Sequence, residues 1–111
     1  MGYLGEFEQL ILYSVLRLGD EAYGVAIRET IEERTGREVS SGAIYTTLGR
    51  LEERGLVKSS VGEPVAGRAG RPRKHYRLEP EGARALIDAH ETIRAVAGGL
   101  LPKLARLAER R

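Results

Sequence analysis

A capped amphipathic helix followed directly by two short strands is the feature that most restricts the fold of this chain. Ser40 and Ser41 form a good N-cap pair, and Gly55 supplies the left-handed residue that commonly ends a helix. The apolar positions between them recur at spacings of four and three residues and are Ile44, Leu48 and Leu51. The pattern predicts a helix from about Gly42 to Arg54 with one buried face.

The segment after this helix has the composition of a β-hairpin. Leu56 to Val61 is short and partly β-branched, and Arg73 to Leu78 alternates between two sets of side chains. The residues between them, from Gly62 to Gly70, are rich in glycine, proline and alanine. We therefore predict two strands joined by a long loop.

Two further helices are predicted ahead of this unit. From Leu4 to Leu18 the apolar residues form a stripe wider than one face, which indicates a helix buried on more than one side. Asp20 or Glu21 is expected to open a second helix, and Thr35-Gly36 to close it. The predicted order up to this point is three helices and two strands.

The C-terminal part is predicted to form a long helix that pairs with a second copy of the chain. Pro80 suits the first turn of this helix. Its seam positions alternate at spacings of four and three residues, as in helices that pack on each other. These positions are Leu86, His90, Ile93, Ala97, Leu100, Leu104 and Leu107. Gly98-Gly99 and Pro102 predict a kink at 98–102 or a short separate helix from Pro102.

Length and composition limit the class of protein. A chain of 111 residues suits one compact unit, and the absence of cysteine excludes disulfides, thiolate metal sites and a cysteine nucleophile. The least polar amino-terminal stretch, Leu10 to Leu16, is far shorter than the roughly 20 residues of a membrane span, so we expect a cytoplasmic protein. We predict a mainly α fold with a two-stranded β-wing: a winged helix-turn-helix domain at 1–79 and a C-terminal dimerisation helix at 80–111.

The distribution of charge indicates binding to double-stranded DNA. The formal net charge is only +2, but residues 68–77 contain five Lys or Arg and no acid. The third helix carries small and polar residues that suit the major groove, and the basic hairpin suits the phosphate backbone or a narrow minor groove. The predicted DNA contacts are Ser41, Gly42, Tyr45, Thr46 and Arg50 on the helix and Arg68, Arg71, Arg73 and Lys74 on the wing.

Other interpretations of these features stay open. Taken alone, the third helix is more typical of a solvated amphipathic helix, and a basic hairpin is equally typical of a protected edge strand. The combination, in this order, favours DNA binding. A winged-helix module that binds a protein partner through the same surfaces is the alternative, and it would need an exposed apolar patch on the third helix or wing.

No enzyme, metal site or cofactor is expected. His75 and His90, the two histidines, are far apart in sequence and lack a clear third ligand, and His75 is predicted to lie on the surface of its strand. The adjacent carboxylates Glu32-Glu33 and Glu52-Glu53 point in different directions on a helix and are interpreted as solvated faces. No phosphate-binding glycine motif or nucleophile elbow is present.

The joint spacing of several motifs resembles the PadR family of transcriptional regulators. They are GAIYTTLGRLEERGLV at 42–57, GRPRKHYRL at 70–78, Gly82 and the pair Tyr23-Gly24. The resemblance extends over roughly Leu4 to Gly82, and the short C-terminal part is similar to that of the smaller members.

The resemblance implies a homodimer that represses transcription from a palindromic operator. It implies that the C-terminal helix joins the two copies with help from the first helix. It also implies that Tyr45 and Arg50 on the third helix, and Arg71 and Lys74 on the wing, are preferred DNA contacts. Some members release DNA when a small aromatic or drug-like molecule binds at the dimer interface. The C-terminal helix of this chain is poor in aromatic residues, so that pocket is not carried over and the effector stays unknown.

Overall fold

The computed structural model describes residues 3–62 and 73–110. In chain order the elements are α1 (Glu6–Leu18), a 3-10 turn (Gly19–Glu21), α2 (Gly24–Thr35), α3 (Ser41–Glu53), β1 (Val57–Val61), β2 (Lys74–Leu78), α4 (Pro80–Ala97) and α5 (Leu101–Ala108). This is the predicted mainly helical fold with a two-stranded antiparallel sheet. The predicted wing contacts Arg68 and Arg71 lie outside the described residues. Along the described ranges, every helix is too short or too polar to cross a membrane.

The first three helices and the sheet share one hydrophobic core. The buried face of α3 is the predicted one, and it meets buried side chains of α1 and α2. The most deeply buried members of this core are Ile11, Leu12, Val15, Ile27, Ile44, Leu48, Leu51 and Val57. Full burial of one such side chain stabilises the fold by about 1.5–3 kcal/mol. In α1, however, Leu16 is exposed, so the wide apolar stripe of this helix is only partly covered by its own chain.

Local sequence signals fix both ends of α3. The Ser40 hydroxyl accepts a hydrogen bond from the backbone N–H of Ala43 at 3.0 Å, which confirms the predicted N-cap. At the other end Gly55 has a φ of +76°, and its N–H donates to the carbonyl of Glu52 at 2.9 Å. The helix spans Ser41–Glu53, within one residue of the prediction.

The start of α2 was predicted wrongly. The helix begins at Gly24, and Asp20 and Glu21 lie in the 3-10 turn. Tyr23 is extended, with φ −91° and ψ 156°, because it forms a β-bridge with His75. Pairing with a strand distant in sequence keeps this segment out of the helix until Gly24, and no local pattern reports it.

The two strands pair antiparallel, with Ser59 opposite Tyr76 and Val57 opposite Leu78. In β2 Tyr76 is buried in the core, whereas Lys74, on the same face at the start of the strand, is exposed. The N–H of Tyr76 also donates to the carbonyl of Ala22 at 3.0 Å, so the sheet is attached to the chain between α1 and α2. The sheet therefore lies against the helical unit and is not a free hairpin.

The C-terminal part consists of two helices. The backbone leaves the helical path after Ala97, Gly99 has a φ of +81°, and α5 begins at Leu101. The start of α4 packs closely on the helical unit: a Cβ added at Gly82 would lie under 3.0 Å from the Leu56 carbonyl oxygen. The predicted interruption near 98–102 is present, as a break between two helices.

Candidate nucleic-acid interface

The outward face of α3 carries the residues predicted to read DNA. Their positions alternate with the buried Ile44, Thr47, Leu48 and Leu51, because 3.6 residues per turn separate the two faces. All of the predicted helix contacts are exposed: Ser41, Gly42, Tyr45, Thr46 and Arg50. A Cβ at Gly42 or Gly49 would meet no heavy atom within 4 Å, so both positions leave open space on the helix surface. The outward face of α3 is thus polar, has little side-chain bulk at its two glycines, and carries one guanidinium group, that of Arg50.

Tyr45 connects this face to the first turn of α2. Its side chain is 47% exposed, yet the end of its ring lies directly over Gly24. A Cβ at Gly24 would lie under 3.0 Å from three ring-end atoms of Tyr45, including the hydroxyl oxygen. A side chain at position 24 would therefore displace the ring end of Tyr45 from this contact. This contact gives a physical reason for the Tyr23-Gly24 pair.

The neighbouring Tyr23 connects the same surface to the loop end of the sheet, where Arg73 precedes β2. The guanidinium carbon of Arg73 lies 4.9 Å from the centroid of the Tyr23 ring, within the range of a cation–π contact. The edge of the same ring system meets His75, with centroids 5.8 Å apart and planes at 63°. Tyr45, the pair Tyr23-Gly24 and Arg73 thus form one continuous series of contacts from α3 to β2.

The predicted wing contacts differ in their environment. Lys74 is exposed, whereas Arg73 is half-buried against Tyr23. His75, predicted as a surface residue, is also half-buried. Its Nε2 atom is buried and has no hydrogen-bond partner among the described residues. The side chain's ring contact with Tyr23 accounts for this difference from the prediction.

Glu52 is a functional candidate that the sequence did not indicate. Its carboxylate was interpreted as solvated, but Oε2 accepts hydrogen bonds from the Ser59 hydroxyl at 2.6 Å and the Ser59 N–H at 3.1 Å. These two bonds, with a smaller contribution from the positive charge of Lys74, hold the pKa of Glu52 below its ordinary value. Burial raises the pKa of Tyr76, and the Glu52 carboxylate and Tyr45 raise it further. The motif Leu-Glu-x-x-Gly-Leu was the available signal for Glu52.

Glu32 was likewise interpreted as solvated and instead fixes the turn between α2 and α3. Its Oε2 accepts from the backbone N–H of Val39 at 3.1 Å, and its Oε1 lies 3.4 Å from Arg28 Nη1. Val39 immediately precedes the N-cap residue Ser40, so this contact sets where α3 starts relative to α2. The Arg28 contact is an i,i+4 pair within α2, whereas the Val39 contact could not be inferred from spacing because it depends on how the chain turns after α2.

The predicted dimer positions are divided between core and surface. Leu86 is only 4% exposed and belongs to the core of its own chain, because Gly82 brings the first turns of α4 onto the helical unit. The other predicted positions are exposed: His90, Ile93, Ala97, Leu100, Leu104 and Leu107. An open apolar groove of about 340 Å³ lies between α1 and α4 and is lined by Tyr13, Leu16, Leu78, Ala83, Leu86, Ile87, His90 and Glu91.

Neither histidine belongs to a metal-binding group. Across residues 3–62 and 73–110, no group of three or more His, Cys, Asp and Glu side chains is placed to hold a metal ion. His75 contacts Tyr23, and His90 lines the apolar groove between α1 and α4. The side chains predicted to contact DNA lie on α3 and on the wing.

This chain is similar in sequence and in fold to known transcription regulators. Residues 11–88 match the Transcriptional regulator PadR-like family. Transcriptional regulator Rv3488 of Mycobacterium tuberculosis is 38% identical over 84 residues, which cover 72% of this chain and 74% of that protein.

Solved structures give the same result. A PadR family transcription regulator from Clostridium difficile has a TM-score of 0.70 and 27% identity, with 90% of this chain and 99% of that chain covered. One from Eggerthella lenta has a TM-score of 0.64 and 26% identity, with 96% and 88% covered. The chain belongs to the PadR-like family of transcriptional regulators.

Proposed function

We propose that this regulator binds double-stranded DNA with α3 in the major groove and the wing on the adjacent backbone. The observation that supports it most is the continuous contact from Tyr45 through Tyr23-Gly24 to Arg73. These contacts put the exposed face of α3 and the cationic end of β2 on one connected surface. The same proposal extends to Arg68 and Arg71 as further backbone contacts.

The second part of the proposal is a homodimer on a palindromic operator, acting as a repressor. Residues 1–79 would form the DNA-binding domain, and residues 80–111 would join the two copies. Across residues 3–62 and 73–110, seven of the thirteen exposed large apolar residues lie on α4, on α5 or between them: Ile87, Ile93, Val96, Leu100, Leu101, Leu104 and Leu107. Such a concentration of apolar surface favours burial against another chain. The groove beside Tyr13 and Leu16 on α1 extends this surface.

The test is binding to duplexes from the protein's own promoter region across a range of salt concentrations. We expect a preferred site with dyad symmetry and half-sites about one DNA turn, roughly 34 Å, apart. The logarithm of the association constant should fall linearly with the logarithm of salt concentration, with a slope of several units. A slope near zero would contradict backbone binding by the wing.

Binding to a protein partner through the same surfaces is the outcome that would replace this proposal. It predicts no dyad-symmetric site in a selection of bound duplexes from random DNA. The exposed residues of α3 do not favour a protein partner. Such a surface needs an apolar patch, and α3 exposes the polar side chains of Thr46 and Arg50 there. Repression itself is tested by transcription from the selected promoter with and without the protein, where added protein should lower transcript yield.

A further inference from the structure

We propose that Glu52 is a positioning residue that holds the wing strands β1 and β2 at a fixed angle to α3, so that both elements reach DNA together. This inference rests on the proposed DNA-binding function. It assigns to a carboxylate, which itself repels phosphate, a positive contribution to DNA affinity.

The base of β1 is attached to α3 by backbone and core contacts. The N–H of Leu56 donates to the carbonyl of Leu51 at 3.0 Å, and Leu56 and Val57 are both buried. Two residues further on, at the middle of the strand, the Glu52 carboxylate holds the backbone and the hydroxyl of Ser59. Val61, at the end of the strand, is 64% exposed.

Two separated attachments restrict rotation of a strand more than one does. Without the Glu52 bonds, β1 would be attached to α3 at its base alone, and the middle of the strand would be held only through β2, which the Tyr76 N–H and the Tyr23–His75 bridge attach to the segment before α2. Ser59 is opposite Tyr76 in the sheet, two residues from Lys74. Holding Ser59 therefore also holds the part of β2 that carries Lys74.

Because Glu52 is negatively charged, a positioning role and a purely electrostatic role can be distinguished by experiment. Glu52 lies close enough to Lys74 for the two charges to interact. If Glu52 acted only through its charge, its removal would leave Lys74 more available to phosphate and would tighten DNA binding. If Glu52 positions the wing, its removal loosens the wing and weakens binding. The two roles predict changes of opposite sign.

The experiment compares Glu52→Ala with Glu53→Ala, using the full chain and a fixed duplex that the wild type binds. Glu53 is the next residue on α3 and is exposed, so its replacement produces the same change in net charge. We expect Glu53→Ala to bind as tightly as the wild type or more tightly. We expect Glu52→Ala to bind about ten-fold more weakly at about 0.1 M salt, with a salt slope lower by about one unit for each phosphate that the wing no longer reaches.

Two further variants keep the test informative if Glu52→Ala does not fold. Glu52→Gln retains an oxygen acceptor for Ser59 and should restore most of the salt slope. Ser59→Ala removes the hydroxyl bond and leaves the backbone bond, so it should lower affinity by a smaller factor in the same direction. Hydrogen exchange at the Ser59 amide measures the Glu52–Ser59 hydrogen bond in the absence of DNA. We expect faster exchange in Glu52→Ala than in Glu53→Ala.

The outcomes separate failure of this inference from failure of the proposed function. If the wild type shows no salt-dependent binding to duplex DNA, the proposed function itself is wrong. If the wild type binds with the expected slope but Glu52→Ala, or Ser59→Ala in its place, matches Glu53→Ala in affinity and slope, only the positioning role is wrong. Normal folding of each variant is checked by its urea unfolding midpoint.

Discussion

At Gly24 the absence of a side chain decides how α2 and α3 meet. The ring end of Tyr45 occupies the space where a Cβ would lie, so the first turn of α2 is in direct contact with the outward face of α3. A glycine in a helix usually costs stability relative to alanine, because its backbone loses more freedom on folding. Here the missing Cβ leaves room for the ring end of Tyr45, which a larger residue would displace.

Gly24→Ala should therefore destabilise the protein by about 1 kcal/mol at most, the low end for overpacking, because the half-exposed ring end of Tyr45 must shift, although alanine is the better helix former. Gly49→Ala on α3 is the matched control, because its Cβ meets open space, and it should raise stability by about 0.5–1 kcal/mol. The free energy of unfolding in urea measures both changes. Adding Tyr45→Ala should remove most of the penalty at position 24, and equal stability of the two glycine variants would contradict the contact.

The stabilising effect of Glu52 should depend on pH. Its pKa is lowered from 4.5 in the folded protein by the bonds from Ser59, so its contribution is fully present above the ordinary pKa and is lost as the pH falls through the folded value. We expect the wild type to be more stable than Glu52→Gln at neutral pH and the difference to disappear in acid, below about 4.5. Urea unfolding from pH 7 downwards measures this.

Glu53→Gln is the control for that titration, since it also removes one negative charge from α3. It should change stability little and without the same acid transition. A difference between wild type and Glu52→Gln that persists unchanged into acid would show that the stabilising bonds do not depend on the charged carboxylate.

At the scale of elements, α3 and the wing should make different contributions to DNA binding. Arg50 is exposed on the helix, where its guanidinium can meet base edges, and Lys74 is exposed on β2, where its ammonium can meet phosphate. The two elements are tied together on both sides, through Tyr23-Gly24 and through Glu52 and Ser59. Because Arg50 is assigned to base edges and Lys74 to phosphate, removing the positive charge of one or of the other should have different effects on DNA binding.

Lys74→Ala should weaken binding to all duplexes by a similar factor and lower the salt slope by about one unit. Arg50→Ala should also reduce discrimination, by about 1–3 kcal/mol at the base pair it contacts. Binding constants for the selected site and its single-base variants, measured at several salt concentrations, distinguish the two. A Lys74 variant that changed preference among sequences would contradict the assignment.

At the scale of the whole molecule, the C-terminal helices extend away from the core. The radius of gyration is 16.8 Å, larger than the about 13 Å of a compact domain of 100 residues. Beyond Leu86, the remaining described residues of α4 and α5 are mostly exposed, although their apolar faces are regular. In the proposed dimer, the partner chain would cover these apolar faces of α4 and α5.

Ile93→Asp or Leu104→Asp should therefore convert the proposed dimer to a monomer. The two side chains are 67% and 55% exposed in the single chain, so the folded monomer should tolerate the change. An unpaired carboxylate in an apolar contact should raise the dimer dissociation constant at least about 100-fold, or about 3 kcal/mol. Light scattering during size-exclusion chromatography gives the mass. Val25→Asp, a 50% exposed site on α2, should remain a dimer.

The local signals in the sequence were sufficient for most elements. The cap at Ser40, the buried face of α3 and the glycine at position 55 all rest on contacts within a few residues, and each is present. The interruption near Gly98-Gly99 also follows from local backbone preference. Such features are predictable because the interacting groups are neighbours along the chain.

Contacts between residues distant in sequence could not be predicted in this way. Tyr23 is extended because it pairs with His75, Glu52 is bound because β1 folds back over the end of α3, and Leu86 is buried because Gly82 meets the Leu56 carbonyl. By itself the sequence determined most of the helices and strands and which face of each is apolar, but not the start of α2. The tertiary structure alone decided which polar side chains are tied down and which apolar ones remain uncovered, because both depend on where separate elements meet.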